Sequence, residues 1–258
     1  MPSVLRALLP AFALVACAAA RAQGGPPMLT DDPGTPGAGH WELNFSSIVE
    51  RTAGSSEVDF PYLDLNYGIG DRVQVTWQIT WNAERPSGGP ETSGLGASVV
   101  GLKWRFIDGG DRSWQISTFP QATFLLPGSD SDRRGLAARD PGLLIPFEIE
   151  KDLGLMSANL AVGRVLAPQG RSDLVGVGGG WAAGLALGRE FAHGVELDAE
   201  IHVQTGPDPR DAEWVTAVGS RIDTSRNTTL LFSMGRDVRN TVSARASLLM
   251  YAGLQVRI

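Results

Sequence analysis

The residues best equipped for catalysis or metal binding are few and scattered. The 258-residue chain has three histidines, His40, His193 and His202, and one cysteine, Cys17. No histidine has the spacing of a metal ligand, and there is no His-Glu-x-x-His helix or cysteine cluster. Asp198 and His202 share a face of an extended segment, but four residues at about 3.3 Å each separate them by roughly 13 Å. That is too far for a carboxylate to orient an imidazole. Asp31-Asp32 supplies two adjacent carboxylates where Ca²⁺ takes six to eight oxygens. The glycines at 176–180 precede an extended stretch rather than a helix, so they do not form a nucleotide-binding turn. No cofactor and no metal is implied, and the chain is not read as an enzyme. A lipid hydrolase would need an outward-facing nucleophile beside a histidine, and His202 falls on the opposite face.

What remains is charge placed at alternate positions. Lys103 and Arg105 form one such pair, Glu148 and Glu150 another, and Glu196, Asp198, Glu200, His202 and Gln204 a third set. Between them stand apolar residues, as in Leu102, Trp104 and Phe106, or Leu197, Ala199, Ile201 and Val203. A period of two is the signature of a strand with two unlike faces. Asp64, Asn66, Gln74, Gln78, Gln115, Gln121, Gln255 and Arg257 extend the polar face to other segments. Acid and base on different strands of one interior can pair across it and close it. They can also line a narrow polar path that filters solutes by charge. In the second reading Lys103, Arg105, Glu148, Glu196, Asp198, Glu200 and His202 line the path.

The elements that carry these residues follow one rhythm. Val73, Val75, Trp77, Ile79 and Trp81 alternate with Gln74, Thr76, Gln78 and Thr80. Twelve such strands are expected, at 40–50, 57–69, 72–82, 95–107, 113–126, 142–150, 155–165, 177–189, 195–204, 213–222, 227–236 and 244–258. They exceed the five or six residues usual in soluble domains and suit tilted membrane strands of about nine to eleven. Tight turns centred on Gly70, Gly110, Asp152, Ala192 and Ser225 alternate with longer polar connections, of which 127–141 is the longest and most charged. Short turns alternating with long loops are the convention of outer-membrane barrels. The fold expected is therefore all-β, a transmembrane antiparallel up-and-down β-barrel of about twelve strands spanning 40–258. An even strand number places both ends on the short-turn side. Trp41, Trp81, Trp104, Trp114 and Trp214 fall near strand ends, where aromatic girdles mark membrane interfaces.

The first 22 residues read as a signal peptide, with Arg6, an apolar run from Ala7 to Ala20 and a small-residue cleavage site at Ala20-Arg21-Ala22. Leu14-Val15-Ala16-Cys17 also resembles a lipobox, which would leave an acylated Cys17. Residues 23–39 form a Pro/Gly-rich N-terminal segment. The whole chain carries a formal charge of −6. Losing Arg6 and Arg21 leaves 20 basic against 28 acidic residues, a net of −8, which argues against nucleic acid as a partner. The partners expected are outer-membrane lipids, a small-molecule solute and the barrel assembly machinery. The last is suggested by the alternation Met250, Ala252, Leu254, Val256 and Ile258, although such strands usually end in Phe or Trp.

The opening Thr30-Asp31-Asp32-Pro33-Gly34-Thr35-Pro36 and Gly39-His40-Trp41-Glu42-Leu43-Asn44 resembles the outer-membrane transporter family named for the "meta-pathway of phenol degradation". Gly70-Asp71-Arg72-Val73, Gly101-Leu102-Lys103-Trp104-Arg105-Phe106 and Tyr251-Ala252-Gly253-Leu254-Gln255 resemble it too. The likeness spans essentially the whole mature chain. It implies an outer-membrane barrel that passes small, often aromatic, molecules, and it implies no catalytic residues. The alternatives are a closed structural or adhesion barrel whose loops bind partners, and a lipid hydrolase.

Overall fold

A computed structural model of the chain describes residues 25–110, 114–139, 141–166, 179–192, 194–241 and 243–258. The expected leader, His193, and most of the glycine-bearing connection before Gly180 lie outside them. The described residues form fourteen strands: β1 Trp41–Arg51, β2 Ser55–Ile69, β3 Val73–Pro86, β4 Thr92–Leu95, β5 Ser98–Asp108, β6 Trp114–Thr118, β7 Gln121–Phe124, β8 Gly142–Asp152, β9 Ser157–Leu166, β10 Gly180–Ala192, β11 Val195–Thr205, β12 Ala212–Asp223, β13 Thr228–Asn240 and β14 Leu248–Arg257. All pairings are antiparallel, and β1 pairs with β14 from Glu42↔Arg257 to Arg51↔Leu248. That last seam closes the sheet.

β4 and β5 both pair with β3, and β6 and β7 both lie between β5 and β8. Each pair is one strand of the barrel, interrupted once, so the closed barrel has twelve strands. Each break has a local cause. At Gly96 a Cβ would crowd Thr80 Cγ2. At Phe119-Pro120 the proline has no N–H to give to a ladder, though its carbonyl still accepts from Leu102 N–H at 3.0 Å. Alternation alone does not reveal the break at Phe119-Pro120, which is why one continuous strand is expected at 113–126. β4 and the end of β3, to Pro86, lie where a connection is expected, before the strand at 95–107.

Burial is the reverse of that in a soluble sandwich. Gln74 and Thr76 are buried, while Trp77 and Trp81, on the other face of β3, are 43% and 48% exposed. Phe45, Leu102, Phe147, Val218, Phe232 and Met234 are also exposed. An apolar exterior on a closed antiparallel ladder is stable in hydrocarbon, because closure leaves no backbone group unpaired. Aromatic side chains gather at both ends of the wall. Trp41, Trp104 and Trp114 stand at the end with the tight turns, and Trp81, Trp181 and Trp214 at the end with the long connections. Lys151 lies over the Trp114 ring at 5.2 Å, and Arg164 lies over Trp181 at 5.2 Å. The two ends are called the turn rim and the loop rim below.

Candidate functional site in the barrel lumen

Most strands turn their polar face inward, so the barrel holds a largely polar lumen. At the turn rim that lumen is filled by the chain's own N-terminal segment. The segment turns inward where Gly37 meets Gly68: a Cβ on Gly68 would overlap the Gly37 carbonyl. Gly39 N–H donates to Gly68 O at 2.9 Å, and Gly68 N–H donates back to His40 O at 3.0 Å. From there residues 36 to 25 cross the lumen to about mid-strand and return towards the turn rim. Met28, Thr30 and Asp32 are all buried.

Lys103 is the central mooring. Its ammonium donates to Asp31 Oδ1 at 2.9 Å and to the Asp32 carbonyl at 2.5 Å, and Glu148 Oε2 stands 3.9 Å away. The Phe119 ring, at the β6–β7 break, covers it at 4.8 Å. Lys103 and Glu148 are 2% and 0% exposed, so neither is free to draw solute. A charge this deep is tolerated only when paired and hydrogen-bonded. Ser117 donates to Glu148 at 2.6 Å, but Glu148 Oε1 has no partner. Burial pushes the Asp32 carboxyl above its ordinary value, and the Lys103 ammonium pulls it back down.

The far wall supplies the second mooring. Glu200 accepts backbone N–H bonds from Leu29 and Thr30, both at 2.9 Å, one on each carboxylate oxygen. Arg221 donates to Gly25 O at 2.8 Å and reaches Asp198 at 4.0 Å. Ser233 donates to Pro27 O at 2.9 Å. Small residues make the room: a Cβ at Gly184 would overlap Thr30 Oγ1, and one at Gly219 would overlap the Met28 methyl. A cavity of about 70 Å³ remains between segment and wall, bordered by Asp31, Asp64, Asn66, Gln74 and Lys103.

Of the seven expected lining residues, the structure thus brings Lys103, Glu148, Asp198 and Glu200 onto the N-terminal segment or its immediate partners. Arg105 lies nearer the turn rim, where it donates to Gln115 at 3.1 Å and to the Asp71 carbonyl at 2.6 Å and pairs with Asp108 at 3.3 Å. Glu196 faces the lumen one register step below Asp198, opposite Arg221. His202 faces it above Glu200, opposite Val215. Asp31, Asp32, Arg221, Ser233 and Phe119 take part in the same contacts, a role for which the sequence alone does not single them out. The one usable signal is the Asp-Asp pair in an otherwise uncharged segment, facing a chain whose strands carry an inward lysine.

The loop-rim half is built differently. Glu50 (β1), Glu57 and Asp59 (β2), Glu84 (β3), Glu213 (β12) and Asp237 (β13) stand on one continuous side, close enough to repel one another. Asn82 bridges Glu57 and Asp59. No strand among the described residues turns a Lys or Arg inward on this half. The opposite wall presents Leu144 and Pro146, Ala161, Gly163 and Val165, and Ala182, at inward positions of β8, β9 and β10. Residues 129–136 fold over the mouth. Ser131 donates to Leu95 O and Arg134 to Ser93 O, and both Arg134 and Leu136 crowd the inward face of Gly94.

The fold and its lined, half-filled interior are those of a transmembrane β-barrel of the outer-membrane type. An outer membrane channel from Pseudomonas putida F1 superposes with a TM-score of 0.72 at 13% identity, over 88% of this chain and 98% of that one. The KdgM porin gives 0.56 at 9% identity and the NanC porin 0.55 at 9%, each over 83% of this chain and 98% of its own. No family model matches the sequence. No curated protein matches it either.

Proposed function

We propose that this protein is an outer-membrane channel for passive uptake of small molecules, with its N-terminal segment as a displaceable stopper at the periplasmic turn rim. The observation that carries this reading is how the stopper is held. Its moorings are polar: one ammonium, one carboxylate, one guanidinium and one hydroxyl of the wall. Thr30 Oγ1 and Glu148 Oε1 remain buried without a partner. Unsatisfied buried groups of this kind cost roughly 1–3 kcal/mol each. Wetting the interface repays that cost, so release exchanges protein bonds for water bonds instead of breaking an apolar core. A leader cleaved near Ala22 would leave the segment free to move.

The vestibule at the loop rim suggests the cargo. A carboxylate wall accepts hydroxyl or ammonium donors, and the opposite wall of small apolar residues suits the flat body of an aromatic ring. Phenolic or cationic aromatic solutes fit both walls, and aromatic carboxylates fit neither charge nor hydrogen-bond direction. The test is single-channel conductance of the refolded mature protein in a planar bilayer, with phenol, benzylamine or benzoate added. Discrete steps, blocked by phenol and benzylamine more than by benzoate, are the expected result. A silent membrane from correctly folded protein, still silent after the segment is deleted, overturns the channel and leaves the closed structural or adhesion barrel.

A further inference from the structure

The outer surface carries a feature that transport does not use. At the loop rim of the β13–β14–β1 seam, arginines point away from the lumen. Arg51 stands opposite Leu248, and Leu248 lies one step beyond the last β13–β14 pair, Gly235↔Leu249. That register sets Arg236 on the other flank of Leu248. Two strand spacings of about 4.8 Å put Arg51 and Arg236 about 10 Å apart on one outward row. Arg239 follows on the same face, opposite Trp214, and exposed Arg245 lies on the connection to β14. None of the four has an ion pair among the described residues. By contrast Arg85 of the same rim is held by Glu91 at 2.6 Å, and Arg164 is laid over Trp181.

Directly below the row the exterior is apolar and grooved. A groove of about 520 Å³ runs between Val218, Phe232, Met234, Met250 and Ala252. Met234 and Met250 lie two residues below Arg236 and Leu248, about 7 Å down the wall. Val218 and Met234 are 62% and 54% exposed.

We infer that this seam is a binding site for a phosphorylated, acylated lipid of the outer leaflet, with the phosphate on Arg51 and Arg236 and an acyl chain in the groove. The guanidinium fork matches phosphate oxygens in geometry and charge. Four unpaired arginines above an apolar groove reproduce the order of such a lipid, anionic head above hydrocarbon. The inference rests on the membrane placement proposed above.

The test is native mass spectrometry of the full mature barrel in detergent, titrated with a bisphosphorylated, multiply acylated glucosamine disaccharide. The same lipid without phosphates and inorganic phosphate alone are the comparison probes. Each basic residue near an anionic lipid surface contributes about 1 kcal/mol, so the R51Q/R236Q double variant should bind about thirty-fold more weakly. R189Q, at the opposite rim, should bind as the parent does. Ala252→Phe, which fills the groove, should weaken the acylated lipid and leave inorganic phosphate unchanged. Equal affinity for the parent and R51Q/R236Q overturns the site, as does equal affinity for the dephosphorylated lipid. Flotation with lipid vesicles reads the membrane placement separately: a barrel that fails to float overturns both readings, and one that floats but shows no arginine dependence overturns this one alone.

Discussion

The two halves of the lumen are made by the same strands and use charge in opposite ways. At the turn rim, acid and base lie within reach of each other, and Lys103, Asp31, Glu148, Glu200 and Arg221 are bound up with the N-terminal segment. At the loop rim the inward strand positions are acidic on one side and small and apolar on the other. Compensated charge holds a piece of protein in place, and uncompensated charge is left to act on whatever enters. The difference teaches that alternation alone cannot tell a lining residue from a mooring. Only the partner decides.

The largest effect is expected from deleting residues 25–36. If that segment closes the turn rim, single-channel conductance should rise several-fold while the folded barrel keeps its heat-modifiable mobility on gels. Next comes Lys103→Met, which leaves the buried Glu148, and the half-buried Asp31, without their cation. Breaking a buried pair from one side costs about 3–5 kcal/mol, so the midpoint of denaturant unfolding should fall accordingly. A second change, Glu148→Gln, should recover part of it, and a K103M midpoint equal to the parent's would show that the pairing does not hold this half together. Glu200→Ala removes both acceptors for Leu29 and Thr30 N–H. Hydrogen bonds to a charged group contribute about 1.5–3 kcal/mol each, so the open-time fraction should rise at least ten-fold with little change in barrel stability.

A smaller effect sharpens the other side. Neutralising the loop-rim wall with E57Q/E213Q should reduce cation preference, read as a reversal potential shifted towards zero in a salt gradient. Arg105→Gln, by contrast, should alter ion preference only in the segment-deleted protein, because its guanidinium is engaged beside the stopper. An R105Q reversal potential displaced as far as that of E57Q/E213Q in the intact protein would erase the distinction between the halves. The smallest change is expected at the exposed Arg85–Glu91 pair, where Glu91→Ala should cost less than about 1 kcal/mol.

Much of the wall is legible in the sequence, because each strand states its own period. Val73 to Trp81 names its lumen and lipid faces without reference to any other segment, and the tight turns fix the alternation of rims. The filling of the lumen is not legible. Asp31 meets Lys103 across 72 positions, and Thr30 meets Glu200 across 170. Residues 25–36 carry too much Pro and Gly for any periodicity, so nothing local says that they fold back inside. The acidic wall is half legible. Glu57 and Glu213 are visible as charges, but their shared side depends on the bulge between Asp59 and Tyr62 and on the closing seam.

That seam has a consequence for the order of assembly. Trp41 and Ile258 exchange backbone hydrogen bonds at 2.9 Å in both directions, so the first strand after the stopper is also the last to be sealed. The stopper's anchors sit on β5, β11, β12 and β13, all made long after it. Residues synthesised near the beginning must therefore wait, without their partners, until almost the whole wall exists. The N-terminal segment can settle into the lumen only once the strands that carry its partners are in place.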